Sequence, residues 1–225
     1  MPLAGLDADA AMFDLIVFDM DGVLVDSEPI ACGIFHKHVA ALGVPMTLDE
    51  LMRDTIGLST HSTRLLIRER HGIEVSDEVV ARIRAELDLV YPARLAAIPG
   101  VEQAIQAMDR PRCVASSSSP TRIELSLRLT GLTGYFGENV FSASMVERGK
   151  PHPDLFLHAA GTMGFEPARA AVVEDSVHGV TAGVAAGMKV FAYAGAPYTD
   201  AKALERAGGQ VFTDMRDLPK LVGLA

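Results

Sequence analysis

Phe13-Asp14-Leu15-Ile16-Val17-Phe18-Asp19-Met20-Asp21-Gly22-Val23-Leu24-Val25-Asp26-Ser27 is the stretch whose reading decides the fold. Its segment Leu15 to Phe18 is apolar, β-branched and aromatic, and short enough to be a strand buried on both faces. The run ends in two carboxylates one residue apart, followed by a glycine. In an open α/β sheet the ligand crevice lies beyond the carboxyl ends of the strands, which places Asp19 and Asp21 at its mouth. Two such charges repel and lose hydration on burial, and a cation or a reacting group offsets both effects. Asp26 and Ser27, just ahead of Glu28-Pro29, fit equally well as a helix cap.

Outward from that stretch the pattern becomes helical and stays so to about Ala97. Ile34, Phe35, Val39 and Leu42 recur at helix spacing and stop at Gly43. Thr47-Leu48-Asp49-Glu50 is a capping box. A further helix is predicted over Thr60 to His71, with Leu65 and Leu66 toward a core and Gly72 closing it. Ser76-Asp77-Glu78 starts another, carrying Val79, Val80, Ile83, Leu87 and Val90, with Pro92 and then Ile98-Pro99-Gly100 breaking the run. The block reads as a small all-helical bundle, residues 29–98, inserted into a second unit made of residues 1–28 and 99–225 and joined to it near Pro29 and Pro99.

Beyond Gly100, strands and helices alternate. Strands are predicted at Arg112 to Ala115, Val140 to Ser142, Ala170 to Val173 and Lys189 to Tyr193, with an edge strand at Val211-Phe212. Helices are predicted over 101–108, 123–132, 155–163 and 177–186. Strands separated by helices argue for an α/β fold whose parallel sheet is covered on both faces.

The bulk composition excludes several function classes. A net charge of -9 with no Lys/Arg cluster argues against nucleic acid as a partner. No stretch is long and apolar enough to span a membrane, and Met1 to Met12 lacks the basic and apolar regions of a signal peptide. Cys32 and Cys113 are too few for a disulfide framework and lack metal-ligand spacing. A monomeric protein of the reducing cytoplasm is expected. The seven histidines show no metal spacing, and glycine-rich nucleotide loops are absent.

Four strand ends or turns carry reactive polar groups: Asp19/Asp21, Ser116/Ser117, Lys150 and Glu174/Asp175. Singly, each has a plain explanation as a cap, a surface charge or a helix terminus. Together, placed after buried strands, they suit phosphoryl transfer. Asp19, Glu174 and Asp175 supply hard oxygens for Mg²⁺. Lys150 adds a compact positive charge, and Ser116 a hydroxyl beside backbone N–H groups. Asp19 can then attack phosphorus, while Asp21 protonates the leaving alkoxide and activates water.

These residues resemble the haloacid dehalogenase-like hydrolase superfamily over nearly the whole chain. The motifs are Asp19-Met20-Asp21-Gly22-Val23-Leu24-Val25-Asp26-Ser27-Glu28, Val114-Ala115-Ser116-Ser117, Gly149-Lys150-Pro151-His152-Pro153-Asp154 and Val173-Glu174-Asp175-Ser176. The resemblance implies a Rossmannoid, doubly wound parallel-sheet core with a four-helix-type cap, and is closest to sugar-phosphate phosphatases and β-phosphoglucomutase-like members. It implies Asp19 as nucleophile and Mg²⁺ ligand, and Asp21 as acid/base whose backbone carbonyl also binds the metal. Ser116, Ser117 and Lys150 would bind phosphate, and Asp175 with Glu174 would complete the metal site. Mutases of this group carry a histidine where this chain has Ile30-Ala31-Cys32, which favours hydrolysis of a small phosphorylated metabolite over mutase chemistry. Asp21 argues against the dehalogenases, which lack the second acid. A metabolite-binding protein without catalysis is disfavoured by the completeness of the set. Arg53, Gly57 and Arg64 are expected to flank the specificity loop of the cap.

Overall fold

The computed structural model describes residues 13–56 and 58–223, so the expectations placed on Met1 to Met12 and on Gly57 lie outside the described residues. Six strands are assigned: β1 (Leu15–Phe18), β2 (Arg112–Ser116), β3 (Val140–Ser142), β4 (Ala170–Glu174), β5 (Lys189–Tyr193) and β6 (Gln210–Phe212). The helices are α1 (Glu28–Ala40), α2 (Leu48–Thr55), α3 (Thr60–His71), α4 (Asp77–Arg94), α5 (Val101–Gln106) and α6 (Pro120–Leu129), followed by α7 (Thr133–Phe136), α8 (Asp154–Met163), α9 (Val177–Ala185), α10 (Ala201–Arg206) and α11 (Leu218–Leu221).

The strands form one sheet in the order β3-β2-β1-β4-β5-β6, and every pairing is parallel. The α/β, doubly wound reading therefore holds. Successive residues of β1 serve opposite faces, as the two-residue period of a strand requires. Ile16 and Phe18 join one apolar cluster with Val101, Ile105, Ile123 and Phe136. Leu15 and Val17 join the other with Leu155, Phe156, Val180 and Leu204. The direction in which the strands are added reverses between β1 and β4, which is where a sheet of this kind opens its ligand crevice.

Helices α1 to α4 carry a third apolar cluster of their own, which includes Ile30, Val39, Leu51, Ile67, Val80 and Tyr91. The chain leaves and re-enters the sheet through a two-stranded neck. Asp26 N–H donates to Ala96 O, and Ile98 N–H to Leu24 O, each at 2.9 Å. The Thr47 capping box is present, with Glu50 N–H donating to the Thr47 hydroxyl at 3.2 Å and Thr47 N–H to the Glu50 carboxylate at 2.8 Å.

Two expectations in this block need correction. Leu65 and Leu66 are only half-buried, whereas Thr63 and Ile67, one helical turn apart, turn inward. Pro92 does not break α4, which continues to Arg94. The amide it lacks would have bonded Asp88, an exposed residue whose carbonyl can turn to water, so the loss is tolerated near the helix end. No helix among the described residues is long and apolar enough to cross a membrane.

Candidate active site

Because the strands are parallel, the residues that follow β1, β2 and β4 emerge on one edge of the sheet. Asp19 continues β1, and its amide donates to Val173 O at 2.9 Å, so it is held by the ladder beside Glu174. Ser116 closes β2 on the other side of β1. Lys150 reaches the same point from the turn before α8, its ammonium 4.9 Å from the centre of the Phe156 ring. There Lys150 Nζ donates to Asp19 Oδ1 at 2.5 Å, to Glu174 Oε1 at 2.6 Å and to Ala115 O at 3.2 Å. Three donors and three acceptors match, so the ammonium is fully used.

Glu174 is saturated as well. Its Oε2 accepts from the amides of Asp175 and Ser176 and from the Ser176 hydroxyl, each at 2.9 Å. Ser176 Oγ in turn accepts from Gly179 N–H at 3.0 Å and caps α9. A Cβ on Gly179 would overlap the Glu174 carboxylate, so the glycine permits this close approach. Gly22 has φ +77°, and a side chain there would run into the Asp175 carboxylate.

Asp19, Glu174 and Asp175 each place a carboxylate oxygen within 4.8 Å of the others, and all three are buried. Were all three ionised, Lys150 would offset only one of the three charges and leave two in a desolvated site. The consequence appears in the acidities. Burial pushes the Asp19 carboxyl from 3.8 up to about 8; Lys150 opposes the rise, while the Glu174 and Asp21 charges add to it. Burial, followed by the charges of Glu174 and Asp19, also lifts Asp175 well above its ordinary value. Burial alone would lower Lys150, but the two carboxylates in contact with it outweigh that effect and hold it above its usual value. Asp175 Oδ2 is buried without a hydrogen-bond partner. An orphaned carboxylate oxygen, three buried carboxyls against a single ammonium and an all-oxygen donor set fit a hard divalent cation. None of the seven histidines joins this cluster among the described residues.

The Asp21 carboxylate does not join the cluster either. Its Oδ1 accepts from the Ser27 hydroxyl at 2.5 Å and its Oδ2 from the Ser118 hydroxyl at 2.8 Å. Ser27 thus holds Asp21 without making a side-chain cap bond to α1. Ser116 is buried, its hydroxyl accepts from Ser118 N–H at 3.1 Å, and Ser117 beside it lines the same cavity. That cavity, about 770 Å³, lies between the sheet edge and the helices α1 to α4.

Arg53 and Arg64 do not line it. Arg53 pairs with Asp54 at 3.1 Å and Arg64 with Asp77 at 2.7 Å. The cavity wall instead includes Glu28, which ends the first motif but has no role in the pattern reading, together with Ser118 and Arg122. Burial, then the charge of Asp21, pushes Glu28 from 4.5 up to about 7, and the Cys32 thiol donates to its carboxylate at 3.4 Å. A signal for Glu28 and Ser118 was present, since Glu28 closes the first motif and Ser118 directly follows the second.

Comparison with known proteins agrees with this layout. A family model described as haloacid dehalogenase-like hydrolase matches residues 13–187. The 6-phosphogluconate phosphatase of Escherichia coli (strain K12) is 28% identical over 92% of this chain and 94% of its own length. The phosphorylated carbohydrates phosphatase of Thermotoga maritima is 30% identical over 87% of this chain and 91% of its own. The crystal structure of a HAD family hydrolase from Deinococcus radiodurans R1, with bound phosphate and sodium, superposes with a TM-score of 0.76 at 33% identity, covering 95% of this chain and 98% of that one. With sheet order, strand-end residues and sequence in accord, this chain belongs to the haloacid dehalogenase-like hydrolase family.

Proposed function

We propose that this protein is a Mg²⁺-dependent phosphatase that hydrolyses a small phosphorylated sugar or sugar alcohol through an aspartyl phosphate on Asp19. The observation that carries the reading is the convergence of Asp19, Lys150, Glu174 and Asp175 at one strand edge, three buried carboxylates against a single ammonium. The relatives from E. coli and T. maritima, both named as phosphatases of phosphorylated carbohydrates, support the substrate class.

Asp19, Asp175 and the backbone carbonyl of Asp21 would hold Mg²⁺, with Glu174 fixing the cluster from behind. The bound cation would supply positive charge that favours ionised Asp19 and offsets the charge of a phosphate dianion. A carboxylate oxygen of Asp19 forms a bond to phosphorus as the ester P–O bond breaks, and Asp21 gives its proton to the departing alkoxide. Asp21 then takes a proton from water, whose oxygen attacks phosphorus. The P–O bond to Asp19 breaks, releasing inorganic phosphate and regenerating the carboxylate. Lys150 holds Asp19 in line and lends its positive charge to the phosphoryl group, whose oxygens bind Ser116 and Ser117. Ser27 and Ser118 orient Asp21 for its two proton transfers.

Residues 29–98 act as a cap over this edge, excluding bulk water while the acyl phosphate exists. The protein works in the cytoplasm as a monomer. Hydrolysis is preferred to mutase chemistry because Ala31-Cys32 offers no imidazole and the Cys32 thiol is engaged by Glu28. The test is phosphate release from para-nitrophenyl phosphate with and without Mg²⁺. Wild type should require the ion, and Asp19→Asn should fall to background while unfolding as cooperatively as wild type. Activity retained in Asp19→Asn would contradict the assignment.

A further inference from the structure

The cavity above Asp19 is much larger than a phosphate and falls in the size range of sites that enclose whole small molecules. Its floor carries Asp19, Glu174 and Lys150. Its upper wall carries a cation that the chemistry above leaves unused. Arg122, in the first turn of α6, lays its guanidinium over the ring of Tyr91 in α4, with Cζ 3.9 Å from the ring centroid. Tyr91 is fully buried within the helical insertion, so this stack bridges the insertion and the sheet-bearing unit.

Both partners are left with unsatisfied polar atoms. Arg122 Nε and the Tyr91 hydroxyl are buried without a hydrogen-bond partner. Among the described residues Arg122 makes no ion pair, although Asp21, Glu28 and Asp88 lie near enough for their charges to be felt. Arg84 of α4 and Arg128 of α6 line the same cavity from exposed positions, and they too have no ion-pair partner among the described residues. Buried donors are almost always satisfied, and a guanidinium left without an acceptor is costly. Stacking on an aromatic face fixes the plane of the fork, so little freedom is lost when its N–H edge meets a ligand.

The fork matches one ligand geometry best, a planar or tetrahedral oxyanion bound by two parallel hydrogen bonds. Arg122 follows the Ser116–Ser119 loop by three residues. It lines the same cavity as Asp19, Ser116 and Ser117, the space that a leaving group must share. We propose that Arg122 is a specificity-determining residue that reads the non-transferred end of the substrate, and that this end carries an oxyanion, either a carboxylate or a second phosphate. The inference rests on the phosphatase reading of the Asp19 site and narrows its substrate class. Arg84 and Arg128, at the rim, draw the same end inward.

Three esters on one carbon chain test this: 6-phosphogluconate, the corresponding hexitol phosphate and the hexitol bisphosphate, with para-nitrophenyl phosphate as a reference that has no remote anion. For the full-length wild type with Mg²⁺, kcat/KM should be roughly 10- to 100-fold higher for an anion-ended ester than for the hexitol monophosphate, the discrimination expected of a charge-assisted bidentate contact. Preference for the sugar acid identifies the oxyanion as a carboxylate and preference for the bisphosphate identifies it as a phosphate; either result supports the proposal. In Arg122→Gln the ratio should collapse toward unity, mainly through KM of the anionic ester, and Arg122→Lys should restore part of it. Equal handling of neutral and anionic esters by wild type, or a ratio unchanged in Arg122→Gln, overturns the proposal while para-nitrophenyl phosphate is still hydrolysed. Wild type inert on all four esters defeats the phosphatase reading and this inference with it.

Discussion

Stripped of divalent ions, the protein should lose stability as the pH rises from about 5 to about 7. Burial holds the folded Asp19 carboxyl near 8, against an ordinary value of 3.8. Between those values the folded state keeps a proton that the unfolded chain has released. Its contribution is thus fully present below pH 3.8 and is lost as the pH climbs through 8. Each pH unit inside that window costs about 1.4 kcal/mol per group, so two units cost about 3 kcal/mol from Asp19 alone. Asp175, raised for the same reason, acts in the same direction, and Lys150, held high, stays charged throughout. Glu28, lifted from 4.5 to about 7, shares the window, so the comparison is best made in a Glu28→Gln background. Urea unfolding followed by circular dichroism, in chelator and in saturating Mg²⁺ at both pH values, is the assay. Mg²⁺ should flatten the dependence, and Asp19→Asn should remove about 3 kcal/mol of it in chelator. A metal-free stability that stays level or rises over this range refutes the reasoning, as does an Asp19→Asn slope equal to that of wild type.

Two further outcomes follow from the packing. Gly179→Ala forces a methyl group into the Glu174 carboxylate, so the Mg²⁺ concentration for half-maximal phosphate release should rise roughly 10- to 100-fold; an unchanged metal titration would show that Glu174 does not position the site. Ile67→Ala, at a fully buried position of the third apolar cluster, should cost about 2–5 kcal/mol in urea unfolding, whereas Leu65→Ala, half-buried on α3, should cost less than about 2 kcal/mol. Equal losses would mean that the helix face has been misassigned.

The parts of the molecule that were legible in the sequence are those governed by local chemistry. Leu15–Phe18 is short and β-branched enough to read as a strand buried on both faces, the Thr47 and Glu50 spacing marks a helix start, and the short Val211-Phe212 run lies on the edge strand β6. The grouping of Asp19, Glu174 and Asp175 followed from parallel strand topology, which brings strand ends to one edge regardless of loop length, while Lys150 joins them from the turn before α8. Contacts between helices were hidden. Which side of α3 faces inward depends on its neighbours, and two adjacent leucines outvoted Thr63 and Ile67 in a short window. Arg122 resembled any surface arginine because its partner ring, Tyr91, lies on a different helix of a separate apolar cluster. Arg53 and Arg64 each pair with a carboxylate that the chain order alone does not assign to them, Asp54 and Asp77.

The neck where Asp26 and Ala96 meet has a consequence for how such an enzyme can diversify. With both passages hydrogen-bonded side by side, the sheet experiences everything between them as if it were a tight hairpin, whatever its length. The entropy of closing that long excursion is borne at the ribbon itself, and strand register downstream is indifferent to what the excursion contains. Ser27, whose hydroxyl holds Asp21, ties the first residues of the excursion to the floor, so a foreign helical lid joined beyond Ser27 and before Ala96 would leave that contact and the sheet edge in place.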